Sequence, residues 1–189
     1  MTEPRLETPR LSLALLAPDA AARAATYWRE NREHMARWQP PRPADFETED
    51  FWRHRLRHAR SELESERAVR LAILPRAAED GPILGWASFT DVARGPVQLC
   101  WLGYNLDHRA QGKGYMHEAL SAAIPWVFTH LGLHRLQAGY EPINERPGRL
   151  LRRLGFVVEG YARDYIYIAG AWRDQIITGL VNPAPITPR

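Results

Sequence analysis

The residues best suited to chemistry lie in one run, DHRAQGKGYMHEAL, from Asp107 to Leu120. There a strand-like pattern meets Gly-x-Gly and passes straight into a helical one. Such a junction turns several backbone N–H groups toward one point at the positive end of the helix, and that arrangement binds phosphate. Gly112 and Gly114 permit the close approach and the unusual backbone angles it needs. Two familiar phosphate loops are excluded: the dinucleotide fingerprint requires a third glycine where His117 stands, and the NTPase loop requires Gly-Lys-Ser/Thr, whereas Gly114 follows Lys113.

Competing constellations fail on specific grounds. His54 and His58 have the spacing of helical metal ligands, yet no Glu follows His54, and Arg53, Arg55, Arg57 and Arg60 crowd the same turns. Cys100 is the single cysteine, so neither an intrachain disulfide nor a thiolate cluster can form. It sits mid-strand in an apolar run, where burial leaves a thiol inert. No Gly-x-Ser-x-Gly elbow presents a serine nucleophile. No metal site is expected.

The elements that must position the glycine loop follow from periodicity. Alternation from Arg10 to Leu16 predicts a strand, and Pro18-Asp19 opens an alanine-rich helix toward Trp28. After a proline-rich loop, Gln39 to Phe46, the next helix places Trp52, Leu56, Ala59 and Leu63 on one stripe and its arginines on a solvated face. Strands at 69–74, 83–92 and 97–106, separated by tight turns, make an antiparallel meander that ends at the loop. A helix follows over 114–130, in which Pro125 costs about 3 kcal/mol or kinks the axis. A strand at 136–140, a helix at 144–154 and strands at 156–161, 165–168 and 175–180 complete the order. The fold class is α+β: a mixed sheet with a meander, flanked by helices.

With 189 residues, 45% of them apolar, the chain fits one domain with a proper core, expected over residues 1–181, and a proline-rich tail at 182–189 that frays. No run approaches the ~18 apolar residues of a membrane span, and the N-terminus lacks a secretion signal, so the chain reads as cytoplasmic with no membrane partner. A net charge of +3 is mild for a nucleic-acid binder. Lys113 is the one lysine among 25 basic residues, a bias that reflects base composition rather than function.

The loop Arg109-Ala-Gln-Gly-Lys-Gly114 resembles the Gln/Arg-x-x-Gly-x-Gly/Ala pyrophosphate loop of the GNAT superfamily of N-acetyltransferases, at the same strand-to-helix junction. NERPGRLLRRLGF, Asn144 to Phe156, is similar to that superfamily's Asn-led helix ending in Leu-Gly-Phe. ENREHMARWQP (Glu30 to Pro40), ASFTDVARG (Ala87 to Gly95), CWLGY (Cys100 to Tyr104), LGFVVEGYARDY (Leu154 to Tyr165) and GAWRDQIITGL (Gly170 to Leu180) carry a closer resemblance to the ribosomal-protein-alanine N-acetyltransferases of the RimJ and RimL type.

The resemblance implies an enzyme that uses acetyl-CoA, held where the sheet splays open between the strands at 97–106 and 136–140. Carried over residue by residue, Arg109 belongs to the loop motif, and the amides of Gln111, Gly112, Lys113, Gly114 and Tyr115 hold the pyrophosphate. Tyr104, Asn105 and Leu106 pair with the pantetheine arm, Asn144 contacts it, and Arg149 reaches a phosphate. Trp28, Asn31 and Trp38 shape the acceptor entrance. Where many relatives place a serine that protonates the leaving thiolate, this chain has Pro147; either Tyr140 or Tyr161 supplies the proton, or none is needed, since a thiol of pKa ~8.5 leaves readily near neutral pH. Glu159 matches a glutamate that relatives use as a base through a water, and Glu141 is the other candidate.

The implied acceptor is a protein N-terminus, that of a ribosomal protein beginning with Ala or another small residue. An α-amine of pKa ~8 is about one-tenth neutral at pH 7, a cost of ~1.4 kcal/mol, against ~4.6 kcal/mol for a lysine amine, so a modest base suffices. Two alternatives stay open at this level: a small amine acceptor such as an aminoglycoside, polyamine or amino acid, and a non-catalytic acetyl-CoA-binding factor whose basic surface contacts ribosomal RNA. Both a monomer and a homodimer are compatible with the sequence.

Overall fold

The computed structural model describes residues 4–186. In chain order the elements are β1 (Arg5–Glu7), β2 (Leu11–Ala14), α1 (Ala21–Glu30), α2 (Arg32–Ala36), α3 (Glu49–Glu64), β3 (Val69–Pro75), β4 (Gly85–Ala93) and β5 (Leu99–Leu106). Then come α4 (Tyr115–Leu131), β6 (Arg135–Tyr140), α5 (Glu145–Arg153), β7 (Val157–Ile168) and β8 (Ala171–Val181). One eight-stranded sheet runs β1-β2-β3-β4-β5-β6-β8-β7, antiparallel except for β5 and β6. The expected meander is β3-β4-β5. No helix among the described residues is long and apolar enough to cross a membrane.

Several boundaries differ from expectation, and α2 was not anticipated; β8 starts at Ala171 rather than at 175. The strand at Arg10 to Leu16 is confined to Leu11–Ala14, and β1, too short to leave a periodic trace, pairs beside it. The separate strands at 156–161 and 165–168 are one strand, β7, with a register shift between Ala162 and Ile166 where Asp164 takes φ 46°. The tail does not fray from its first residue: the Asn182 amide donates to the His134 carbonyl at 2.8 Å and its side chain to that of Leu133 at 3.0 Å. The last three tail residues lie outside the described range.

Helices cover both faces of the sheet, so β3 is buried on both sides and reads as a continuous apolar run. On one face Leu71, Ile73, Ala87, Phe89, Cys100 and Leu102 pack with the buried side of α4. On the other, Ala72, Leu74 and Trp86 pack with α1 and α3. The α3 stripe of Trp52, Leu56, Ala59 and Leu63 is buried as its spacing requires. Its arginines are largely committed within the protein, Arg53 to Glu49 and Asp50, and Arg55 to Glu62. The helix α4 runs on through Pro125, which leaves the Ser121 carbonyl without its helical donor.

The site is positioned by what β5 and β6 fail to do. They pair over three rungs only, Leu99 with Arg135, Cys100 with Leu136 and Trp101 with Gln137. Past these, β5 stays on β4 as far as Leu106, and β6 stays on β8 as far as Tyr140. The sheet therefore splits into a wedge lined by two strand edges without ladder partners, and the glycine loop stands at its mouth. The β7–β8 hairpin carries two register shifts, and the centre of the Tyr165 ring lies 6.2 Å from that of Trp101 on β5.

Candidate active site

The loop is shaped from its first residue. Asp107 is buried and accepts from the Arg109 amide at 2.7 Å, from the Arg109 guanidinium at 2.8 and 3.0 Å, and from the Asn31 carboxamide at 3.0 Å. Burial opposes its ionisation, yet these donors outweigh it and hold the carboxyl well below the usual range. Gly112 and Gly114 take φ 75° and 78°, and a Cβ at Gly112 would meet open space. Among the described residues the amides of 111–114 donate to no protein group. Gly114 then caps α4 in the left-handed conformation.

A brace from the start of the chain secures this turn. The Arg10 guanidinium donates to the Lys113 carbonyl at 2.9 Å and to Glu118 at 2.6 Å, and lies 4.6 Å from the centre of the Tyr115 ring. Glu118 also accepts from the Thr8 hydroxyl at 2.6 Å. Nothing in the spacing of Thr8, Arg10 and Glu118 announces a contact across more than a hundred residues.

On the stretch of β5 beyond its pairing with β6, the Tyr104 hydroxyl is buried without a partner, and burial, with Tyr140 nearby, pushes its pKa far up. Asn105 accepts from the Tyr27 hydroxyl at 2.6 Å, which ties β5 to α1. On the opposite wall the Tyr140 ring lies against Gly148 of α5, where a Cβ would sit 2.7 Å from its Cζ and Oη. Glu141, next along, is buried, and its Oε1 has no partner. Asn144 stands at the start of α5 without capping it.

Several expected site residues occupy other positions. The Arg109 side chain is committed to Asp107 and Glu30, so it shapes the turn. Arg149 turns along its own helix to Glu145 at 2.7 Å, while Arg146 donates to the Gln111 side chain at 2.9 Å. Glu159 is held by Arg135, with its carboxylate over Gly179 of β8. Tyr161 donates to Asp174 on the exposed hairpin.

Of the acceptor residues, Trp28 is buried in a stack with Trp52, under the Arg42 guanidinium. Asn31 is fully buried, so it lines no entrance; its carboxamide joins Tyr27, Asp107 and the His108 amide. Only Trp38 keeps a partly exposed ring, with Arg37 4.9 Å from its centre. Cys100 is pushed up to about 12 by burial, which keeps the thiol protonated and unreactive.

A sheet that splits beside an amide-lined loop at a helix start defines an acyltransferase of the GNAT class. An acetyltransferase (GNAT) domain matches residues 10–157, and the chain belongs to that family. It is an N-acetyltransferase. The chain is 39% identical over 179 residues to the ribosomal protein uS5-alanine N-acetyltransferase of Escherichia coli (strain K12), covering 95% of this chain and 91% of that one. The crystal structure of ribosomal-protein-S5-alanine acetyltransferase from Vibrio fischeri superposes with a TM-score of 0.90 at 34% identity, over 95% of this chain and 97% of that one. Mycobacterium smegmatis RimJ in complex with CoA-disulfide shares the fold, with a TM-score of 0.84 at 24% identity over 95% of this chain and 86% of that one.

Proposed function

We propose that this protein transfers the acetyl group of acetyl-CoA to the α-amine of a protein N-terminus, that of a ribosomal protein beginning with alanine or another small residue. The carrying observation is similarity over nearly the whole chain to an enzyme named for that acceptor. The residues present fit the cosubstrate: unpartnered amides at 111–114, open space beside Gly112, and an unpartnered Tyr104 hydroxyl on β5 beyond its pairing with β6.

In this reading the amides of Gln111, Gly112, Lys113, Gly114 and Tyr115 hold the pyrophosphate. The free edge of β5 at Tyr104, Asn105 and Leu106 pairs with the pantetheine arm, with Asn144 contacting it from α5. Arg146 takes the phosphate-side role expected of Arg149, because it is the arginine that reaches the loop. Glu141 accepts the ammonium proton through a water, since its buried Oε1 is uncommitted whereas the Glu159 carboxylate is engaged by Arg135. The freed amine would then attack the thioester carbonyl and the carbon–sulfur bond would break, with Tyr140 giving its proton to the departing sulfur and the new amide nitrogen passing its surplus proton back to the Tyr140 phenolate. Its phenol lies against Gly148, one residue beyond Pro147, which has no hydroxyl to give.

Thiol release measured with a panel of acceptors tests the assignment. Peptides beginning with Ala, Ser or Thr should turn over, and Nα-blocked lysine peptides should not. Preferential turnover of aminoglycosides or polyamines would replace the acceptor.

A further inference from the structure

One side chain spans the mouth of the wedge. Gln111, inside the loop, has its Nε2 2.7 Å from Nε2 of His34 on α2, and its Oε1 accepts from Nη1 of Arg146 on α5 at 2.9 Å. It therefore links the acceptor-side helices to the helix on the far wall.

The chemistry of the three groups fixes their states. A guanidinium can only donate, so the Gln111 oxygen must face Arg146. The carboxamide nitrogen is then directed at His34, and it too can only donate. His34 Nε2 must accept, which requires a neutral imidazole whose proton sits on Nδ1. Protonating His34 would set two donors against each other, and the amide cannot flip to relieve this without turning its nitrogen onto Arg146.

We propose that His34 is a positioning residue for the cosubstrate, acting when neutral through Gln111 to hold the amide loop in its binding shape. The inference rests on the acetyl-CoA reading of the loop. It goes beyond that reading by making binding depend on a histidine that lies on the acceptor-side helix and outside the loop.

The surroundings favour the required state. Desolvation, then His108, whose ring centre is 6.1 Å away, and Arg146 all lower the His34 pKa, with Asp107 opposing them. His108 and Asp107 face it from the β5–α4 connection and Arg146 from α5. The sign follows: the clasp is intact above the His34 pKa, which lies below the ordinary 6.5, and is lost as pH falls through it.

Calorimetric titration of the whole protein with CoA at pH 7.5 and at a pH below the His34 titration, located first by NMR of its ring protons, tests this, using His34→Gln and His34→Leu. Glutamine offers an amide oxygen that accepts at every pH. Acidification should weaken binding to the unmodified protein roughly three- to tenfold more than to His34→Gln, the range of one net hydrogen bond. His34→Leu should bind more weakly at both pH values, with no excess loss on acidification. Titration of the CoA phosphates is common to all three proteins and cancels in the comparison. Equal pH profiles for the unmodified protein and His34→Gln would overturn the inference alone. So would tighter binding on acidification in the unmodified protein only, which would make cationic His34 a direct phosphate ligand. Failure of the unmodified protein to bind CoA at either pH would overturn the acetyl-CoA reading itself, and the inference with it.

Discussion

The two walls of the wedge are built on different plans. On the β5–α4 wall, Tyr104 to Glu118 is one uninterrupted segment that presents mainly backbone amides, and its side chains serve chiefly to hold the turn. On the other wall, Tyr140 and Glu141 stand at the end of β6 and Glu159 on β7, while Tyr27 on α1, His34 on α2 and Trp38 just beyond it come from far upstream. Groups delivered by backbone need only the right local angles. A group delivered by a side chain depends on which distant partner claims it first, as Arg135 claims Glu159 and Asp107 claims Asn31.

The largest effect is expected from Gly114→Glu. It sets a side chain at φ 78° and a carboxylate beside the phosphates, and CoA binding should fall by at least about 100-fold by calorimetry, with circular dichroism unchanged. A loss of less than tenfold would move the loop's function from backbone to side chains.

On the other wall, Glu141→Gln should lower kcat/KM by about 10²-fold near neutral pH without changing CoA affinity, the low end for a general base. Raising the pH toward the α-amine pKa should recover much of the loss. Glu159→Gln should cost less than about fivefold, and the reverse order in steady-state kinetics would return the base to the hairpin.

Asp107→Asn probes the joint between the walls. Its depressed carboxyl contributes stability that is present above the unfolded pKa of ~3.9 and is lost only as pH falls below that toward the folded value. At pH 7 the variant should be less stable by roughly 2 kcal/mol in urea unfolding, the scale of hydrogen bonds to a charged group. That deficit should persist down to about pH 4. A small effect on cosubstrate binding belongs to Lys113→Ala: an exposed ammonium beside a loop that works through amides should change CoA affinity by about fivefold at low salt and less at high salt.

The same division explains what could be read from the chain alone. The meander, the α3 stripe and the loop were legible because each is encoded by neighbours: alternation, i/i+4 spacing, and glycines at fixed offsets. The brace of Thr8 and Arg10 on Glu118 was not, and neither was the Arg146–Gln111–His34 clasp, because arginine, glutamine and histidine on polar helix faces look alike until the topology chooses their partners. Asn31 shows the limit most plainly. The resemblance sets it at the acceptor entrance, yet it is fully buried because Asp107 and His108 satisfy its carboxamide.

The interrupted register of β7 bears on how the molecule behaves in a crowd of its own copies. As the outermost strand, twelve residues long, it has one edge with no ladder partner among the described residues, with Val157, Val158, Tyr161, Tyr165 and Tyr167 exposed along it, which is the profile of a template for runaway strand addition. The shifts at Val158/Gly160 and Ala162/Ile166 divide that length into shorter pieces of regular register. An incoming strand could match one piece and would then be thrown out of step by the next, so this edge can stay long, aromatic and open while resisting fibrous growth.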